Sequence, residues 1–356
     1  MRLTKQKTSD IVGLDIEAGS IAATEVHVNG SAQVSASAIE PLTPGIFHEG
    51  EVVDADRLAG ALKSLFAEHK LSKLVRLGVG NQQVVVRTMR LPAIEDPKEL
   101  DAAVRFQAQE QIPMPLDQAV LEHQVVGGVP AEEGSTPQID VVVVAARRDM
   151  IASFLEPIRR AGLQPAGVDL SAFGMIRALA AGDATTGPGE RPAEAVLYCN
   201  VGDVTNLAVA RGRACLFTRV SYAGLEAISG QFAAAAGLTA EHAMQWLAHV
   251  GLELPLEGVE GDPETVAEAR RALEEGVSGL VDELRLSLDY YGAQEGAVPV
   301  ERIVLCGPGS AIAGLAQRME AGLSFPIDVS RPPALSGFDQ TAAARLTLPY
   351  GLALED

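Results

Sequence analysis

The apolar residues of this chain recur with two periods, and the order in which those periods alternate lays out its elements. From Ile11 to Glu40 the chain reads IVGLDIEAGSIAATEVHVNGSAQVSASAIE, strand-like runs broken at EAGS and at VNGS. Asn-Gly between such runs is a hairpin signal, because both residues tolerate the positive φ of a tight turn. The pattern predicts an opening antiparallel meander of two or three strands. In DADRLAGALKSLFAEHK (54–70), Leu58, Leu62, Leu65 and Phe66 recur at i, i+4, i+7 and i+8, which makes one helix face apolar. KLVRLGVG then returns as a strand.

A second unit opens near Gln82 with the strand QQVVVRTMRLP. Asp96, Pro97 and Glu99 supply an N-cap, an N1 proline and a capping-box partner for a helix to about Gln111, and the Pro-rich IPMPL ends it. AVLEHQVV and IDVVVVAA are strands on either side of the polar loop GGVPAEEGSTPQ; the second is apolar throughout and reads as fully buried. With a helix over 148–161 the order is β-α-β-β-α, a small insert, and a strand and helix follow across 165–181. GDATTGPGERP marks a boundary or hinge. Beyond it AEAVLYCNVGDVTNLAVARGRACLFTRV repeats the opening design, a helical region runs from about 223 to 291, and VERIVLCGPGSAIAGLAQRME gives a strand, a Gly turn and a helix. Two lobes therefore each open with the same meander.

At 356 residues the chain is long for one core and comfortable for two. Hydrophobic content of 47% with 4% aromatics leaves Val, Leu, Ile and Ala to form the interior, so the chain is globular. A net charge of -19 repels phosphate backbones and anionic lipid, which argues against nucleic-acid binding. Cys199, Cys215 and Cys306 sit among apolar neighbours without C-x-x-C spacing and read as buried, reduced thiols. MRLTKQKTSD has no apolar core of a leader, and no run approaches the roughly 18 residues that cross a bilayer. The expected location is the cytosol.

Two strand-turn-strand units that face each other, joined by a late strand-Gly-helix element, form a nucleotide clamp in principle. Backbone N–H groups at each turn can point at phosphates, and the helix after Gly309 can add its positive end. LCGPGSAIAG also reads as an ordinary turn whose glycines relieve strain, and Ile312 stands where G-x-G-x-x-G needs its third glycine. His242 and His249 could share a helix face but lack an acidic ligand, so they read as surface residues. The acidic pairs Glu132–Glu133 and Glu274–Glu275 read as solvated faces, and no G-x-S-x-G elbow supports hydrolase chemistry.

VGLDIEAGSI, PLTPGIFHEGEVVDADRLAGALK, EQIPMPL, VVVVAARRDMIASFLEPIRRAGLQPAGVDLSAFGMIRAL, LCGPGSAIAGL and LPYGLAL occur in the order found in PilM, the actin-like type IV pilus assembly family related to FtsA. The resemblance spans about residues 11 to 354. It implies an α/β, actin-like two-lobed fold, four subdomains around a central cleft, one of them an FtsA-like insert. The expected division is a flexible 1–10, a first subdomain of 11–81 with 166–190, the insert at 82–165, a second of 191–232 with 298–356, and a helical subdomain at 233–297.

The resemblance also places ATP with Mg in the cleft, against Asp15, Gly19 and Ser20 in the first turn, Asn200, Gly202 and Thr205 in the second, and Gly307, Gly309 and Ser310 in the third. This chain departs from the family pattern where Glu17 replaces a glycine, Ala22 a lysine and Asn200 an aspartate, and where Met244 and Leu247 replace a ribose-side Glu and Lys. A like charge about 4 Å from a phosphate costs several kcal/mol at a partly buried site, so weak or absent ATP binding is expected. The implied role is a non-catalytic scaffold at the inner face of the membrane, reached indirectly by gripping the short cytoplasmic tail of a PilN-like protein, with the assembly's motor ATPase as a further partner. Ile112, Met114 and Leu116, in a Pro-stiffened turn, are the expected tail contacts, or else they cap the insert's own core. A working ATPase or sugar-kinase relative, an FtsA-like division protein and a secretion-platform protein are the alternatives. The acidic YGLALED is too short for the amphipathic helix of the division protein, and the secretion protein would continue into a membrane helix.

Overall fold

The computed structural model of the chain describes residues 11–129, 136–180, 194–294 and 296–354. The N-terminal ten residues, the hinge string at 182–192 and part of the loop after Val129 lie outside the described residues. The opening meander is β1 (Ile11–Ile16), β2 (Ser20–Asn29) and β3 (Ser31–Pro41), followed by the short pair β4 (Phe47–His48) and β5 (Glu51–Val52). Helix α1 (Ala55–Glu68) starts where the Asp54 carboxylate accepts from the Arg57 N–H, and it buries Leu58, Leu62, Leu65 and Phe66, the four positions its period marks. Relative to exposure each contributes about 1.5–3 kcal/mol. β6 (Leu74–Val79) then lies parallel to β1.

The insert comprises β7 (Val84–Pro92), α2 (Pro97–Gln111), β8 (Ala119–Val129) and β9 (Gln138–Arg147). Asp96 caps α2 by accepting from the N–H groups of Lys98 and Glu99. The sheet order β7-β9-β8 puts the apolar strand in the middle. Val141, Val143 and Ala145 pack with Met89, Leu91, Val104 and Ala108 beneath α2, and the alternate residues Val142 and Val144 point to the other face.

Helix α3 (Arg148–Arg160) turns away from this sheet and sends Met150, Phe154 and Ile158 into the first lobe's core beside α1. β10 (Gln164–Leu170) pairs with β6, giving the sheet order β10-β6-β1-β2-β3, and α4 (Ser171–Leu179) follows. The second lobe repeats the plan with β11 (Ala195–Val201), β12 (Thr205–Arg211) and β13 (Ala214–Ser221), then α5 (Leu225–Ala236), α6 (Ala240–Val250) and α7 (Pro263–Gly292). β14 (Val300–Cys306), α8 (Leu315–Leu323), β15 (Ile327–Val329) and α9 (Gln340–Ala353) complete it. Its sheet order, β13-β12-β11-β14-β15, reproduces the first strand for strand.

The expected helix directly after Gly309 is instead a 3-10 turn over Pro308–Ala311, and α8 begins only at Leu315. Extended Ile312 and left-handed Gly314 (φ 77) interrupt any continuous helix there.

Helices α4 and α9 cross between the lobes, with α9 lying on β1 and β2 although it is the last element of the chain. Their approach is backbone to backbone: a Cβ on Gly351 would lie 1.8 Å from the Gly174 carbonyl oxygen, and one on Gly13 would lie 1.9 Å from that of Pro349. The carbonyls ending α9 are satisfied by arginines from the first lobe and α4. Arg177 Nε donates to Gly351 O at 3.1 Å and Arg76 Nη1 donates to Leu352 O at 3.1 Å. Among the described residues no helix is long and apolar enough to cross a membrane.

Candidate functional site between the two lobes

The β1–β2 hairpin places Asp15 at the floor of the cleft, 5% exposed, and holds its turn by a 2.9 Å bond from Glu17 N to Ser20 O. The dominant partner of this turn comes from α9. Arg345 Nε donates to Ser20 Oγ at 2.8 Å and lies 3.2 Å from Glu17 Oε2. Nη2 donates to Ser20 O at 3.0 Å and to Asp15 O at 3.2 Å, and Nη1 pairs with the Asp15 carboxylate at 2.5 Å. A guanidinium presents five donors in a rigid fork, which suits it to bind two carboxylates, a hydroxyl and two carbonyls at once.

The opposite wall is the β11–β12 turn, and it touches the first turn directly. Gly19 N donates to Asp203 Oδ2 at 3.0 Å, and Asp203 N donates to Glu17 Oε1 at 3.4 Å. A Cβ on Gly202 would stand 2.0 Å from Glu17 Oε1, so glycine is the residue that lets the turns meet. The cavity left between the lobes has a volume of about 20 Å³, room for one water, with Asp15, Glu17, Asp203, Asn206 and Glu226 in its lining. A second tie lies nearby, where Glu226 of α5 holds His48 Nδ1 at 2.6 Å and accepts from Glu49 N at 3.0 Å.

Two carboxylates therefore share one guanidinium, and a third, Asp203, stands against Glu17 from the opposite wall. Burial pushes the Glu17 carboxyl up to about 8; Arg345 opposes the rise, while Asp203 and Asp15 add to it. Burial likewise raises Asp203. Glu17 is protonated at neutral pH, which leaves the cluster with fewer buried charges than its composition suggests.

The other residues expected in the cleft come together as a floor. Asn200 is 1% exposed, with its Oδ1 3.9 Å from Cys306 Sγ and its Nδ2 without a hydrogen-bond partner. A Cβ on Gly307, which has φ 82, would meet Asn200 Oδ1 at 2.0 Å; a Cβ on Gly309 would meet a Val201 side-chain atom at 2.4 Å. Thr205 Oγ1 donates to Ala223 O and Ser310 Oγ to Gly307 O, both at 2.7 Å.

Ala22 faces no open space. It is fully buried with Leu346, Tyr350 and Ala353 of α9, and it is the cross-strand partner of Asp15. Paired residues of an antiparallel ladder share a face. The position where the resemblance notes a missing lysine is packed beneath α9, and the cation beside Asp15 is Arg345 of that helix. Ala22→Lys is expected to lower stability by at least about 2 kcal/mol, because it overpacks a filled core and buries a second cation beside Arg345; a denaturation midpoint equal to that of the unaltered chain would contradict this packing.

Arg345 escaped the sequence analysis. Its signal was its isolation as the single charge in AAARLTLPYGLAL, and a lone charge in an apolar helix marks a buried ion pair. Met244 is half-buried and Leu247 fully buried, both packed in the helical subdomain's core, while His242 and His249 are exposed, the latter with Nε2 at 2.7 Å from Glu260 O. All three cysteines are buried and free, and burial pushes the Cys199 and Cys215 thiols up to about 12.

A larger concavity lies away from these turns. The face of the insert sheet opposite α2 looks across at α4 over a groove of about 590 Å³, lined by Val125, Val142, Val144, Phe173 and Ile176 with Glu122, Asp169, Arg177 and Arg213 among the polar residues. A second hollow of about 290 Å³ lies beside β7, with Arg87 and Arg219 in its wall. Ile112, Met114 and Leu116 do not line either one. Ile112 is 5% exposed inside the insert core under α2, and Met114 and Leu116 pack against that core.

Two sheets of identical strand order, each opened by a meander, with a cleft between them and a helix pair crossing beneath, define the actin-like class. The family described as type IV pilus assembly protein PilM matches residues 13–347, and the chain belongs to it. A solved PilM–PilN type IV pilus biogenesis complex contains a chain 27% identical, with 97% of each chain covered and a TM-score of 0.78. The fold is shared at greater distance with the ethanolamine utilization protein EutJ from Carboxydothermus hydrogenoformans, at 13% identity over 96% of this chain and 88% of that one, TM-score 0.52. It is shared too with MreB5 of Spiroplasma citri bound to ADP, at 12% identity over 97% and 95% of the two chains, TM-score 0.54.

Proposed function

We propose that this chain is a non-catalytic, cytoplasmic scaffold of a type IV pilus assembly platform, holding the short cytoplasmic tail of a PilN-like membrane protein and binding ATP weakly or not at all. The observation that carries this reading is the groove between the insert sheet and α4. Its floor is apolar, its rim is mixed in charge, and β8 is an edge strand along it among the described residues. An extended peptide in such a place gains affinity from backbone pairing and from alternate side chains entering apolar pockets. Cytoplasmic segments next to a membrane helix are rich in Lys and Arg, which a chain of net charge -19 attracts. The PilN partner of the 27%-identical relative supports this choice of ligand. The motor ATPase of the same platform is the further partner this reading carries.

The phosphate turns support the second half. The Gly19 N–H and the Asp15 carboxylate, which a nucleotide and its metal would need, are engaged by Asp203 and Arg345. Mg-ATP does not fit the residues as they stand.

A synthetic PilN-like tail peptide should bind the unaltered protein, and Val144→Glu, a half-buried change on the groove wall, should weaken it at least about tenfold, or 1.4 kcal/mol. Thermal stability should change little. Equal affinity for the peptide and a scrambled version would remove the central support for the scaffold reading.

A further inference from the structure

The turns of the two lobes bond to each other directly across the cleft. Gly19 and Glu17 of the first lobe bond to Asp203 of the second, and His48 and Glu49 of the first bond to Glu226 of the second. Arg345 anchors the first-lobe side of this contact. It is 94% buried, and its guanidinium pairs with the Asp15 carboxylate and lies 3.2 Å from Glu17 Oε2.

We propose that Arg345 is an internal ligand of the cleft: its guanidinium, seated on Asp15, Glu17 and Ser20, serves where a metal-nucleotide would sit, so the chain latches its own lobes closed. The inference rests on the weak-nucleotide half of the proposed function and deepens it. Closure then needs no cofactor and does not follow nucleotide concentration. Three features agree on this. The buried cation beside Asp15 comes from α9, packed over the small Ala22; the remaining cavity of about 20 Å³ has room for a water and not for a phosphate; and the carboxyl nearest the gap, Glu17, is neutral at pH 7 and can approach Asp203 without full repulsion. The charged groups that face the cluster are Asp15, Glu17, Asp203 and Arg345, with Glu226 and His48 at its rim.

The test is the distance between the lobes. Cysteines introduced at the exposed Lys63 of α1 and Glu275 of α7 can carry spin labels, because the three native thiols are buried. In the otherwise unaltered chain the distance distribution should be narrow and the same with or without millimolar Mg-ATP, and calorimetry should show no heat of ATP binding. Asp203→Ala combined with Glu226→Ala removes the three bonds those carboxylates make across the cleft, to Gly19 N, His48 Nδ1 and Glu49 N, and leaves Arg345 and the first-lobe core untouched, so it keeps the test open if an Arg345→Gln variant fails to fold. The double variant should broaden the distribution and move it to longer distance. A shift on adding Mg-ATP to the unaltered chain, a binding heat for it, or a double variant as narrow as its parent would each overturn the proposal. The tail-peptide titration on the same samples reports separately on the scaffold reading, which can fail while the latch stands.

Discussion

Gly351→Ala should cost about 3 kcal/mol or more of stability, at the upper end of what added core methyls cost, although it adds a single carbon. The new Cβ would lie 1.8 Å from Gly174 O and 2.9 Å from the Ala178 Cβ, and backbone cannot rotate aside as a flexible side chain can. To admit it α4 and α9 must separate. That movement would also stretch the Arg177 bond to Gly351 O and disturb the floor on which Arg345 and Asp15 meet. Gly60→Ala is the control, since a Cβ there meets nothing within 4 Å in an exposed stretch of α1 and should stabilise the helix by up to about 1 kcal/mol. Urea denaturation of the two variants beside the parent decides the matter. Equal midpoints for Gly351→Ala and the parent would mean that the helices are not in backbone contact.

The second large effect is electrostatic. Removing the guanidinium with Arg345→Met leaves the buried Asp15 carboxylate without its cation, and uncompensated buried charge of this kind costs about 3–5 kcal/mol at neutral pH. The loss should shrink in acid, where Glu17 and Asp203, both raised by burial, carry their protons. Glu17 alone sets a pH dependence of definite sign. Its folded value is raised from 4.5 to about 8, so the folded state holds a proton that the unfolded state gives up. Its contribution is complete below pH 4.5 and is lost as pH rises through the window to about 8, at no more than about 1.4 kcal/mol per unit. Asp203, also raised, acts in the same direction. Glu17→Gln should therefore flatten the stability curve between pH 5 and 8 relative to the parent. A parallel pair of curves would show that the Glu17 carboxyl is ionised in the folded chain.

How far the sequence disclosed this depends on whether the determining contacts are near in the chain. The period of Leu58, Leu62, Leu65 and Phe66 is a local property, and α1 is where it predicts. Asp96 before Pro97 caps α2 for the same reason, and the twin meanders carry their turn residues with them. The candidate site is set by contacts across nearly the whole chain. Arg345 and Asp15 are 330 positions apart, and no pattern along the sequence links them. The three turns were legible as a group because glycine and short polar residues mark them, yet their meeting through Gly19, Glu17 and Asp203 depends on the angle between lobes. The apolar turn at Ile112–Leu116 was ambiguous between partner and core, because apolar character alone does not say which side of a sheet a loop folds onto.

Helix α3 bears on how this architecture can be taken apart. It follows the insert's last strand without a break, yet Met150, Phe154 and Ile158 fill the neighbouring lobe's interior beside Phe47 and α1. A graft that exchanged residues 82–165 for another protein's module would remove those side chains and leave their sockets empty, at several kcal/mol for each large side chain lost. A graft cut between Arg147 and Arg148 would exchange only β7, α2, β8 and β9 and keep the host interior whole. The insert sheet is thus separable from the body that carries it, and such an exchange would replace one wall of the large groove while α4 keeps the other.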